Sequence, residues 1–198
     1  MLTLGDTLRL LENRLIDARV EEEPEEGRRR AAVAIVLRDP DPLDSGDGAE
    51  MLLIKRAENP RDLWSGHMAL PGGRWDPTDA SLAETALRET REEVGLGLSR
   101  ESVLGRLGLL RPNNPLLPPI DITPFVVVAP PGAEVSSNHE VAAHFWVPVE
   151  LLRGTGPSAK FALEVLGEWR EWPAYPYGEH MIWGLTERIL SDFFSLLE

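Results

Sequence analysis

The chain has 198 residues, 42% of them hydrophobic and 27% charged, enough for one well-cored domain and short for two. A formal net charge of −13 opposes a polyphosphate backbone and excludes a long nucleic acid as the expected partner, while a small anionic ligand stays open wherever divalent cations reverse the local field. Without cysteine there are no disulfides, thiolate ligands or cysteine nucleophiles; with no signal-peptide pattern and no long apolar run, a cytoplasmic location and no membrane partner are expected.

Leu4, Leu8, Leu11, Leu15 and Ile16 recur at helical spacing and predict an amphipathic opening helix over residues 3–19. The charged stretch 21–30, broken by Pro24 and Gly27, predicts a solvated linker, which sets residues 1–30 apart from a domain over residues 31–198. Short apolar runs at 31–38 and 51–56 predict two strands joined by a loop rich in proline and glycine. A helix is expected over 82–94, because Ser81 and Glu84 form a capping signal and Gly95 stands where a C-terminal glycine belongs. Residues 103–110, 120–129 and 141–147 predict a second group of strands, and 179–197 a closing helix. This order implies an α+β fold in which helices flank a mixed central sheet, an α/β/α sandwich.

The helix at 82–94 carries the chemistry. At about 100° per residue, Ala83, Ala86, Leu87, Thr90 and Val94 share one arc, the buried stripe. Glu89, Glu92 and Glu93 fall together on a neighbouring arc. Carboxylates so placed repel and raise one another's pKa, a cost that Mg²⁺ or Mn²⁺ removes, since hard divalent cations take oxygen ligands. Taken alone, a solvated acidic face paired with Arg88 and Arg91 is the simpler account. The turn Leu70-Pro71-Gly72-Gly73 just upstream, where backbone can approach a ligand closely, changes the balance.

Gly73 followed by Arg88-Glu89-Thr90-Arg91-Glu92-Glu93-Val94-Gly95-Leu96 resembles the Nudix box, with Thr90 in an apolar slot. The first half departs from the family pattern: Ala80 stands where a glutamate is usual, and Gly73 lies one residue too far upstream, so Asp79 or Glu84 is the expected substitute. The stretched box is similar to the coenzyme A pyrophosphatase branch, as are Leu52-Leu53-Ile54-Lys55-Arg56, Arg61 with Gly66, Phe145-Trp146-Val147-Pro148 and Ile182-Trp183-Gly184-Leu185-Thr186. The branch spaces its arginine and glycine by one residue less than Arg61 and Gly66, and Leu70 replaces its phenylalanine.

The resemblance implies a metal-dependent hydrolase that cleaves the pyrophosphate bond of a nucleoside diphosphate derivative, coenzyme A or acyl-coenzyme A first, with ADP-ribose or a dinucleotide polyphosphate as the alternative. Glu89, Glu92, Glu93 and the Gly72 carbonyl would hold Mg²⁺ or Mn²⁺, which would polarise phosphorus and activate water. Arg88 would orient the carboxylates, Glu140 would serve as a further metal ligand or as general base with Glu92 as the other candidate base, and Arg56, Arg61 and Gly73 would meet the substrate. Lys55 is a third candidate cation. A small-molecule partner follows, and homodimers are common in the family. The competing class is a non-catalytic nucleotide sensor, which a degenerate acidic cluster would favour; here the cluster is intact. An isoprenoid isomerase of the same fold relies on a cysteine that this chain lacks. His67 is expected to serve as a loop hydrogen-bonding residue, and Trp169, Trp172, Tyr175 and Tyr177 to pack or meet a second copy rather than stack on adenine or line an acyl pocket.

Overall fold

The computed structural model describes residues 2–23, 25–40, 48–59, 64–112, 118–130, 133–165 and 167–198. The central layer is a seven-stranded mixed sheet built from β1 (Arg29–Arg38), β2 (Glu50–Arg56), β3 (Met68–Ala69), β4 (Gly72–Arg74), β5 (Val103–Arg106), β6 (Ile120–Val128) and β7 (Val141–Pro148). β1 and β6 run parallel and in register from Arg29 opposite Ile120 to Leu37 opposite Val128, and every other pair is antiparallel. On its other side β1 meets β2 only at Leu37 and Arg38, while β4 pairs with Ala31, Ala32 and Val33. The glycine turn therefore enters the sheet where β2 has diverged from β1, and the Ala34 N–H donates to the Pro71 carbonyl at 2.8 Å.

Alternation along β1 assigns its two faces. Ile35 and Leu37 join the cluster that holds Leu4 and Leu11 of α1 (Leu4–Leu11) and Ile189, Leu190 and Phe193 of α4 (Gly184–Ser195). Ala34 and Val36 point the other way, onto Ala83, Ala86, Leu87 and Val94 of α2 (Leu82–Val94). The result is the expected layering of helix, sheet and helix. Among the described residues no helix is long and apolar enough to cross a membrane.

Several boundaries differ from expectation. α1 stops at Leu11 instead of running through 19: Asn13 takes a left-handed conformation (φ 64°), and Ile16 turns back to bridge Arg106 at the sheet edge. The stretch 21–30 is held against the body, since Glu21 pairs with Arg30 and also accepts the Leu82 N–H at 2.7 Å, and β1 starts at Arg29. β5 ends at Arg106, beyond which Leu110 makes only an isolated bridge to Ile122. The closing helix starts at Gly184, because His180–Trp183 is a strand, β10, turned back on its neighbour at Gly178 (φ 56°). That neighbour, β9 (Glu168–Tyr177), is the centre of a separate three-stranded sheet with β8 (Ala159–Val165), and α3 (Val149–Thr155) precedes it. Pro173 and Pro176 read as breakers in sequence, but each sits where β9 has a neighbour on one side only, so the missing N–H can face the open side.

Candidate active site

The site is assembled around α2. Ser81 caps its first turn by accepting the Glu84 N–H at 3.2 Å, and Gly95 closes it in the left-handed conformation with its N–H on the Arg91 carbonyl. The predicted stripe of Ala83, Ala86, Leu87, Thr90 and Val94 is buried. Thr90 tolerates its apolar slot because its hydroxyl donates to the Ala86 carbonyl at 2.7 Å within the same helix. The three glutamates are graded in depth: the Glu92 side chain is 52% exposed and that of Glu89 18%, while Glu93 is only 4% exposed, at the edge of the buried stripe.

Arg88 is the organiser. Its Nε and Nη2 donate to the two oxygens of Asp79 at 2.9 and 3.0 Å, Nη1 donates to Glu89 at 2.9 Å and Glu92 at 3.1 Å, and Nη2 also reaches the Arg74 carbonyl. The guanidinium holds the Asp79 carboxyl down at about 2, and Asp79 in turn raises Arg88 further above its ordinary range. Asp79 thus fills the place left by the missing glutamate, and Glu84, the other candidate, makes no ion pair among the described residues. Asp79 is positioned by an Asx turn in which Asp76 accepts from the Thr78 N–H and hydroxyl, and by bonds from the Asp76 N–H and the Thr85 hydroxyl. Asp76-Pro77-Thr78 is the sequence signal for that turn.

Glu93 meets the glycine turn. The Gly72 N–H donates to its Oε2 at 2.9 Å, so the contact shown is the amide of Gly72, not its carbonyl. A side chain at Gly72 would lie 2.4 Å from the Ala32 carbonyl oxygen at φ +152°, which only glycine relieves. At Gly73 a Cβ would lie 2.4 Å from the Glu89 carboxyl carbon, so this glycine makes room for a carboxylate. Burial pushes Glu93 up to about 7 against the pull of the Gly72 N–H, with Glu89 and Glu140 adding to the rise and Arg56 opposing it. Burial likewise raises Glu89, with Glu92 and Glu140 contributing and Arg88 opposing.

Glu140 reaches this cluster through backbone. The Ser136 and Asn138 N–H groups donate to the otherwise unpaired Val94 and Glu93 carbonyls at the end of α2, at 2.8 and 2.9 Å. The Glu140 side chain is 63% exposed, and its carbonyl accepts the Ala57 N–H just past Arg56 at the end of β2. Arg56 is therefore gathered with the cluster; Arg61 lies outside the described residues. His67 faces the rings of Trp64, Phe161 and Trp183, Tyr175 is buried against α4 with its hydroxyl 3.0 Å from Ser191 Oγ, and Trp169 is exposed.

Among the described residues, no three carboxylates or histidines yet converge on one point, since Glu89 and Glu92 lean on Arg88 and Glu93 on Gly72. The donor set still suits a hard divalent cation: every candidate ligand is oxygen, and a buried carboxyl raised to about 7 beside two other carboxylates is one that a nearby cation would ionise.

The NUDIX domain family matches residues 28–177. The uncharacterized Nudix hydrolase NudL of Photorhabdus laumondii is 36% identical over 141 residues, 71% of this chain and 73% of that protein. Its namesake in Shigella flexneri is 30% identical over 202 residues, 96% and 93% of the two chains. A MutT/nudix family protein from Enterococcus faecalis shares the fold at TM-score 0.59 and 17% identity, over 98% of this chain and 70% of the other. A NUDIX hydrolase from Alicyclobacillus acidocaldarius gives 0.53 at 25% identity, over 67% and 84%. The family match and these relatives define the class: the chain belongs to the Nudix family and is a Nudix pyrophosphatase.

Proposed function

We propose that this enzyme cleaves the pyrophosphate bond of coenzyme A or acyl-coenzyme A, releasing 3′,5′-ADP and a 4′-phosphopantetheine, with the work done on α2 and the glycine turn. The observation that carries the site is the buried Glu93, raised to about 7 beside Glu89 and Glu140 at the point where the Gly72 N–H enters. Glu89, Glu92 and Glu93 would hold Mg²⁺ or Mn²⁺, which when bound supplies charge neutralisation at the diphosphate and a more acidic water.

The protein's own part follows from the contacts. Arg88, anchored by Asp79, keeps Glu89 and Glu92 facing one side of the helix and limits their repulsion. Glu140, exposed and close enough to influence the buried Glu93, would accept the proton of the attacking water, and Arg56 would meet a phosphate oxygen. The branch resemblance of residues 52–56 and 182–186 supports coenzyme A as the substrate.

The test is incubation of the pure protein in Mg²⁺ with coenzyme A, ADP-ribose, NADH and diadenosine compounds, with products identified by mass spectrometry. Coenzyme A should give 3′,5′-ADP and 4′-phosphopantetheine; cleavage of ADP-ribose or dinucleotides alone would replace the coenzyme A assignment. Glu92→Gln and Glu93→Gln should each lower turnover by at least about a hundredfold in folded protein. Near-normal turnover in both would sink the role given to the cluster.

A further inference from the structure

Five aromatic rings from separate parts of the chain meet in one cluster. Phe161 stacks on Trp183 with centroids 4.2 Å apart and planes at 17°. His67 meets the same indole edge-on at 4.9 Å, while Trp172 and Trp64 lie at 5.4 and 6.2 Å. β8, β9 and β10 supply Phe161, Trp172 and Trp183, and the segment leading into β3 supplies Trp64 and His67. Phe161 and Trp172 are direct cross-strand partners.

The cluster's place in the sheet matters more than its packing. At the end of β2 the Arg56 N–H donates to the His67 carbonyl on one side, and the Ala57 N–H donates to the Glu140 carbonyl on the other. The backbones of His67 and Glu140 thus flank the end of β2 across two strand spacings, about 10 Å, which puts the strand segment carrying the His67 ring beside Arg56. β3 runs on from His67 into Gly72, and the Thr186 hydroxyl of α4 holds it by donating to the Met68 carbonyl. Trp183 is buried at 8% exposure, but Trp64, His67, Phe161 and Trp172 are only part-buried. Part-buried rings beside a phosphate-handling site offer apolar surface of the kind on which a nucleobase stacks.

We propose that this ring cluster is the subsite on which the aromatic base of a nucleoside diphosphate substrate stacks, Trp172 being a ring that meets it. The proposal rests on the reading of the α2 site as the place where the diphosphate is cleaved.

The test uses the intact enzyme in Mg²⁺ and follows tryptophan fluorescence during titration with AMP, which has no anhydride to cleave, with ribose 5-phosphate and with pantetheine. AMP should quench saturably and the other two should not. Trp172→Ala should weaken AMP binding and raise KM for ADP-ribose or coenzyme A about tenfold with kcat within about twofold, and Trp172→Phe should restore most of the loss. Trp169→Ala removes an indole that is 73% exposed and outside the cluster, and should change neither. Quenching by pantetheine but not AMP overturns the proposal, as does an unchanged KM in folded Trp172→Ala. If that variant does not fold, the contrast between AMP and ribose 5-phosphate on the wild type decides. AMP quenching without hydrolysis of any diphosphate keeps the ring subsite and removes the hydrolytic reading; hydrolysis without AMP quenching does the reverse.

Discussion

Glu93→Gln removes an ionisable group while keeping an acceptor for the Gly72 N–H, and its effect on stability can be worked from the structure. Burial raises the Glu93 carboxyl from 4.5 to about 7, which at about 1.36 kcal/mol per pH unit corresponds to about 3 kcal/mol. The sign follows from proton counts. Between pH 4.5 and about 7 the folded protein holds the proton that the unfolded chain has released, so stability falls as pH rises through this window. Without metal, wild type and variant should therefore match near pH 4.5 and diverge above it, the variant being more stable by about 3 kcal/mol at pH 8. For a chain of this size that is a Tm gap of about 6–12 °C. Thermal unfolding of both proteins in EDTA, from pH 5 to pH 8, measures it, and added Mg²⁺ should narrow the gap by stabilising wild type alone. A gap that does not change with pH, or a variant less stable at pH 8, refutes the claim that ionising the buried Glu93 costs stability in EDTA.

Glu140→Gln should lower turnover at neutral pH, with a smaller loss as pH rises and hydroxide becomes available; an unchanged rate and Mg²⁺ dependence would move the proton acceptor elsewhere, most simply to Glu92. Asp79→Ala should lower turnover about tenfold and cost about 2 kcal/mol by removing two of the charge-assisted bonds that hold Arg88. Because Asp79 is held at about 2, below its ordinary 3.8, that stability gap should be full above pH 4 and close as pH falls through 2, as urea titrations can show. Gly72→Ala meets the Ala32 backbone at 2.4 Å and should destabilise by more than about 2 kcal/mol, whereas Gly73→Ala meets only the movable end of Glu89 and should fold normally while losing about tenfold in turnover. Equal loss of stability in both variants would contradict this division of labour.

The parts of the molecule legible in the sequence are those governed by local rules. α2 was read to the residue because Ser81 and Gly95 mark its ends and its apolar period is clean. The expected bounds of β1, β2, β6 and β7 lie within two residues of the observed ones because each strand carries a largely apolar stretch. What escaped depends on distant partners. Periodicity placed the three glutamates on one arc but could not tell the exposed Glu92 from the buried Glu93, since depth is set by the glycine turn that folds over only one of them. It could not choose Asp79 over Glu84, because Glu84 stands at a favourable helix spacing and only the Asx turn brings Asp79 back to Arg88. β8, β9 and β10 were missed because they form a sheet of their own in a stretch where aromatic and charged residues alternate irregularly and proline masks the strand.

The carboxylate of Glu21 on the first amide of α2 has a practical bearing on how this protein can be cut. The NUDIX domain family matches residues 28–177. A fragment trimmed to those bounds would leave the Leu82 N–H without its acceptor and remove Leu4, Leu11, Ile189, Leu190 and Phe193 from the core face that β1 presents to them. That span is smaller than the portion that holds itself together, and anyone dissecting the enzyme should let the hydrogen bonds choose where the scissors fall.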